Sequence, residues 1–150
     1  TSIDHLMGYA RECSTAEREV FFKKTNTLSR SEKIAYYREM LQQYPNDTIL
    51  QFGLANLLYG LVKKQKDAGT EQEIHFLCNR ILHSNKPDMQ CGAKRILAFL
   101  SAQNGNMEEA MKYVNELPSI YCGREIVAEQ ILNGISFGKA LKKWEAQMGD

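Results

Sequence analysis

His75 and Cys78 lie three residues apart, close to one helical turn, so both could reach a ligand from a single helical face. His83 and Cys91 follow in the next stretch of chain. A structural zinc ion asks for four such ligands in tetrahedral order, and this spacing matches no established zinc pattern. The pair therefore reads as a core cysteine beside a surface histidine, with no metal. Cys122 as a nucleophile would need a neighbouring base. The chain has 3 His, and none is near Cys122 in sequence. The run Gly-Ile-Ser-Phe-Gly at 134–138 is too short for a phosphate loop and has no strand before it. Catalysis needs convergent groups, and none is visible, so no enzyme and no cofactor is expected.

Recognition is the better-represented chemistry. Tyr36, Tyr37, Phe52, Tyr59, Phe76, Phe99 and Tyr113 recur at helical spacing. Most of these rings should face neighbouring helices. Phe52, Asn56 and Tyr59 nevertheless share one face of their helix, as do Arg95, Phe99 and Gln103 of another. Rings can cover a peptide's apolar side chains, amides can pair with its backbone, and a guanidinium can pair with a carboxylate.

The elements that must position these groups are helices. The 150 residues are 43% hydrophobic and 25% charged, which suits one compact domain. No window approaches the ~18 consecutive apolar residues of a membrane span. No export pattern is visible, so a cytoplasmic location with reduced, half-buried thiols at Cys13, Cys78, Cys91 and Cys122 is expected. A net charge of +1 gives no global case for nucleic acid or an anionic membrane.

Helix starts are marked by capping boxes, in which a hydroxyl and a carboxylate three residues on each satisfy a free amide. Ser14 with Glu17, Ser29 with Glu32 and Thr70 with Glu73 have that form, and Asn106 with Glu109 is a weaker version. Pro45, Pro87 and Pro118 each follow an amphipathic run. These signals predict helices at about 15–25, 30–43, 48–65, 71–83, 88–103, 107–116, 122–133 and 137–148. No segment shows strand alternation with hairpin chemistry, so the fold class is all-α.

Two stretches then look alike. One, from Tyr36 to Gly60, is a helix, a Pro-Asn-Asp turn and a second helix; the other, from Arg95 to Pro118, is a helix, an Asn-Gly-Asn turn and a helix. Both resemble tetratricopeptide (TPR) units, helix–turn–helix repeats of about 34 residues. Leu97-Ala98 stands at the family's Leu-Gly, Gly105 at the turn, Ala110 at the small residue and Pro118 at the closing proline. Tyr37, Leu41 and Pro45 match one helix end, and Leu54, Ala55 and Leu58 the next helix. Gln51 and Lys94 replace the usual tryptophan. The resemblance covers about residues 30–133 and implies a right-handed superhelix of antiparallel helix pairs, with Phe52, Asn56, Tyr59, Arg95, Phe99 and Gln103 on its concave face. Asn56 lacks the lysine partner of a chaperone-type carboxylate clamp.

The first nine residues, Thr-Ser-Ile-Asp-His-Leu-Met-Gly-Tyr, resemble the last helix of Xre/Cro-type helix-turn-helix domains at Ser2, Asp4, Leu6 and Gly8. Leu117 through Cys122, with Arg124 and Glu125, resemble a segment of the TPR-like regions of Gram-positive Xre-family regulators. Together these imply a DNA-binding remnant and linker at 1–12 and a TPR-like domain at 13–150. The implied function is the sensing and self-association region of a transcriptional regulator, with DNA contacted through a missing N-terminal domain and a peptide, small effector or protein as ligand. The alternative is a TPR-type scaffold with no DNA role. Phe137, Leu141, Trp144 and Met148 form an apolar stripe that would either cap the stack or pair two copies in a homodimer.

Overall fold

The computed structural model describes residues 12–118 together with Arg124, Val127, Ala128 and Ile131. Six helices run through residues 12–118: α1 (Thr15–Thr25), α2 (Arg30–Gln43), α3 (Thr48–Lys64), α4 (Ala68–Leu82), α5 (Pro87–Gln103) and α6 (Met107–Asn115). There is no strand among the described residues, so the fold is all-α. Arg124, Val127, Ala128 and Ile131 are helical as well. Residues 1–11 of the remnant and linker expected at 1–12, the helix at 137–148 and the stripe Phe137, Leu141, Trp144 and Met148 lie outside the described residues.

Local chemistry explains the helix starts. Ser14 Oγ accepts from the Glu17 amide at 3.1 Å while Glu17 Oε1 accepts from the Ser14 amide at 3.1 Å. Ser29 and Glu32 repeat the exchange at 3.3 and 3.1 Å, and these bonds pull the Glu32 carboxyl below its ordinary pKa. The capping box expected at Thr70 does not form. Asp67 caps α4 instead, accepting from the Thr70 amide at 2.9 Å, so the helix starts three residues early. A carboxylate competes well with a hydroxyl as an N-cap, and it places Thr70 inside the first turn. Pro87 opens α5 at a position where the missing amide costs nothing, and Lys86 before it makes no side-chain cap.

From α2 onward each helix packs on the next, and α3 packs on α2, α4 and α5 together. The main core gathers Phe21, Ile34, Leu50, Leu54, Leu58, Ile74, Leu77, Ile81, Leu97 and Leu100, all nearly or fully buried. Each large side chain buried in this way stabilises the fold by roughly 1.5–3 kcal/mol before entropy is counted. Phe21 stacks on Tyr36 at 4.9 Å and meets Tyr37 edge-on at 4.8 Å. A second cluster joins Ala98 and Ala102 of α5, Ala110 and Val114 of α6, Leu117, Val127 and Ile131. Small residues on both helices let α5 and α6 approach closely there.

Candidate functional site

The six residues expected to line a concave face divide between packing and surface. The Phe52 ring lies directly over Gly92 of α5, where any side chain would begin 2.4 Å from a ring carbon. Tyr59 and Phe99 meet across α3 and α5 with centroids 6.2 Å apart, and burial pushes the Tyr59 hydroxyl above its ordinary pKa. Gln103 donates from Nε2 to the Val62 carbonyl at 2.7 Å, satisfying one of the carbonyls left open at the end of α3. Asn56 and Arg95 remain exposed. The structure thus brings Tyr59 and Phe99 together and ties Phe52 and Gln103 into the α3–α5 contact.

A second surface escaped the sequence reading. Phe76 is 60% exposed, although the other Phe and Tyr rings among the described residues are buried or half-buried. The buried stripe of α4 is Ile74, Leu77, Cys78 and Ile81, and Phe76 falls off that register. The residue spacing alone could have flagged it. Phe76 stands between two adjoining cavities of about 530 and 240 Å³. The larger is lined by Asn46, Thr48, Gln51, Asn79, Arg80, His83 and Ser84 beside Phe76. The smaller continues over Leu41, Pro45, Leu54 and Leu77 to Arg38 and Glu73. Gln51, Phe76 and Arg80 line both, so the two form one groove between α2 and α4, floored by α3. Arg80 bonds Asn46 Oδ1 and lies over the Phe76 ring at 5.7 Å. Arg38 grips Glu73 with two bonds of 3.1 and 2.6 Å. The Gln51 amide is held by the Pro45 carbonyl at 2.8 Å.

The turn that supplies Asn46 also anchors the N-terminal end of the described chain. Asp47 is fully buried and caps α3 through the Leu50 amide at 3.0 Å. Its other oxygen accepts from the Cys13 amide at 2.8 Å and from Arg18 Nη2 at 3.1 Å. Arg18 also reaches the Cys13 carbonyl at 3.3 Å. Tyr44 bonds Glu17, and Lys86 pairs with Glu12 at 3.3 Å. Residues 13–18 are thereby fastened to the turn before α3, and Glu12 to the turn before α5.

The histidines and cysteines considered for chemistry are dispersed. Cys78 is fully buried, and burial pushes its thiol up to about 12, so it carries no thiolate near neutral pH. Cys13 is buried too, so these two thiols are more enclosed than the half-buried state expected, which holds for Cys91. His75 is half-buried, and exposed His83 places Nδ1 2.7 Å from the Asn79 carbonyl. Among the described residues no three His, Cys, Asp or Glu side chains come together as metal ligands. Cys122 lies outside the described residues. No helix of the described residues is long and apolar enough to cross a membrane. The chain matches no family model, no curated protein and no solved structure.

Proposed function

We propose that this chain is the ligand-sensing region of a helix-turn-helix transcriptional regulator, built as a TPR-like stack of helix pairs, and that it self-associates as a dimer. The packing of α3 on both its hairpin partner α4 and the next-but-one helix α5 carries the reading, because that is how repeat pairs stack into a superhelix. The likeness of residues 1–9 to the end of a DNA-reading domain, and of 117–125 to Xre-family regulators, supplies the regulatory half. The buried joint at Asp47 supports it: a segment entering from that side is fixed to the helical stack rather than hung from a loop.

In this reading the ligand is an extended peptide lying across α3 and α5. The exposed Asn56 and Arg95 pair with its backbone and a carboxylate, beside the rings of Tyr59 and Phe99. A near-neutral net charge of +1 also fits a scaffold with no DNA role, and the sequence upstream of Thr1 distinguishes the two. The test is selection of binders from a displayed peptide library, followed by titration against Arg95→Ala and Asn56→Ala. Loss of a charge-assisted hydrogen bond at Arg95 should weaken binding about tenfold or more, with an unchanged melting temperature because Arg95 is exposed. Selected peptides that bind both variants as tightly as the parent would remove α3 and α5 as the ligand face.

A further inference from the structure

We propose that the groove between α2 and α4 is a separate docking site for an acidic, extended segment of a protein partner. In this site a partner carboxylate reaches Arg80 and an apolar side chain covers Phe76. The site is independent of the peptide surface on α3 and α5.

Charge complementarity selects the partner. No carboxylate lines the larger cavity, and its only permanent charge is the Arg80 guanidinium. Among the described residues Arg80 has no acidic partner; it bonds the neutral amide of Asn46 and rests on the Phe76 ring. Those two contacts fix the plane of the guanidinium while leaving its charge uncompensated, the arrangement suited to receiving a carboxylate. Arg38, at the other end of the groove, is a contrast within the same surface: Glu73 already occupies its fork. The groove therefore offers one charge to a ligand, and that charge is positive.

Shape and polarity argue for a peptide rather than a bare anion. A cavity of about 530 Å³ is far larger than one carboxylate and falls within the range of ligand pockets. Its walls mix amides (Gln51, Asn79) with an exposed ring, and the adjoining 240 Å³ adds the apolar surfaces of Leu41, Leu54 and Leu77. Amides at the backbone level, an apolar shelf and a single cation match an extended chain carrying an acidic and an aliphatic side chain. A nucleic acid would ask for a row of cations along its phosphates.

The test uses fluorescein-labelled peptides that alternate Asp with Leu, Lys with Leu, or Asp with Ser, titrated by fluorescence anisotropy. The Asp/Leu peptide should bind and should weaken as salt is raised. The Lys/Leu and Asp/Ser peptides should each bind about tenfold or more weakly, since each lacks one of the two contacts. Arg80→Met and Phe76→Ser should weaken the Asp/Leu peptide to a similar degree while lowering the melting temperature only slightly, because Phe76 projects into solvent and water can replace the exposed bond from Arg80 to Asn46. Arg95→Ala should leave it untouched, which separates this site from the α3–α5 face. Absence of Asp/Leu binding at millimolar concentration, equal binding of the Lys/Leu peptide, or an Arg80→Met variant that binds like the parent would each overturn the proposal.

Discussion

The turn from α2 to α3 and the turn from α5 to α6 solve one geometric problem by different means. The second is a backbone solution. Gly105 adopts φ 83, and the amides of Gly105 and Asn106 close on the carbonyls of Ala102 and Ser101 at 3.0 and 2.8 Å. That pairing is a Schellman ending, complete within the turn itself. The first is a side-chain solution: Tyr44, Pro45, Asn46 and Asp47 make bonds to Glu17, Gln51, Arg80, Cys13 and Arg18, from three other parts of the fold. The backbone turn reverses the chain with a single tie to another helix, from Asn104 Nδ2 to Glu71 Oε1 of α4 at 2.9 Å. The side-chain turn joins the N-terminal segment, the floor of the groove and α4, so whatever moves one of them is felt by the others.

The largest test of this difference is Asp47→Ala. It removes the cap of α3, leaves the Cys13 amide without its acceptor, and strips Arg18 of its carboxylate at a site where Asp47 is fully buried. Breaking a buried ion pair from one side costs about 3–5 kcal/mol, a large share of the roughly 5–15 kcal/mol that holds a typical domain together. Urea unfolding should show that loss. A variant within about 1 kcal/mol of the parent would mean the joint is dispensable, and the contrast between the turns would collapse.

What the sequence could disclose follows the range of each interaction. The boxes at Ser14 and Ser29 were legible because donor and acceptor lie three residues apart on one helix. The Thr70 box was misplaced because Asp67, three residues earlier, offers a competing cap of the same local kind. The Asp47 joint joins residues 34 apart, and nothing in either segment alone announces the other. Phe52 reads as a surface ring until Gly92, on a different helix, makes room for it. Phe76 differs, because its place outside the register of Ile74, Leu77 and Ile81 is a local signal that the spacing does carry. Helical class and most helix ends were therefore visible from periodicity and caps, while the groove depends on contacts between helices that no local pattern encodes.

An intermediate effect belongs to Gly105→Ala. The residue holds a positive φ, yet a methyl group there would meet nothing within 4 Å. The cost is conformational alone, about 1–2 kcal/mol for placing an L side chain in the left-handed region, with no steric addition. Gly105→Asn should recover part of it, since Asn tolerates that region better. Thermal melts of the two variants give the comparison, and equal losses for Ala and Asn would point to something other than backbone strain.

The smallest effect is expected from Asn106→Ala, and it isolates the variable that separates the turns. Asn106 and Asp47 do the same local job: each is an N-cap whose side-chain oxygen accepts from the amide three residues on, at 3.1 Å for Glu109 and 3.0 Å for Leu50. Asn106 also donates to Glu109 Oε2 at 2.8 Å, but both bonds are exposed, and its backbone bond to Ser101 survives the substitution. Water can replace what alanine removes, so the loss should be about 0.5–1 kcal/mol, the lower part of the range for N-caps. The same denaturation series that measures Asp47→Ala then gives the ratio directly. A several-fold gap assigns the strength of the first turn to burial and its long-range partners. Equal losses would mean that capping alone sets both, and that the turn before α3 joins nothing beyond its own helix.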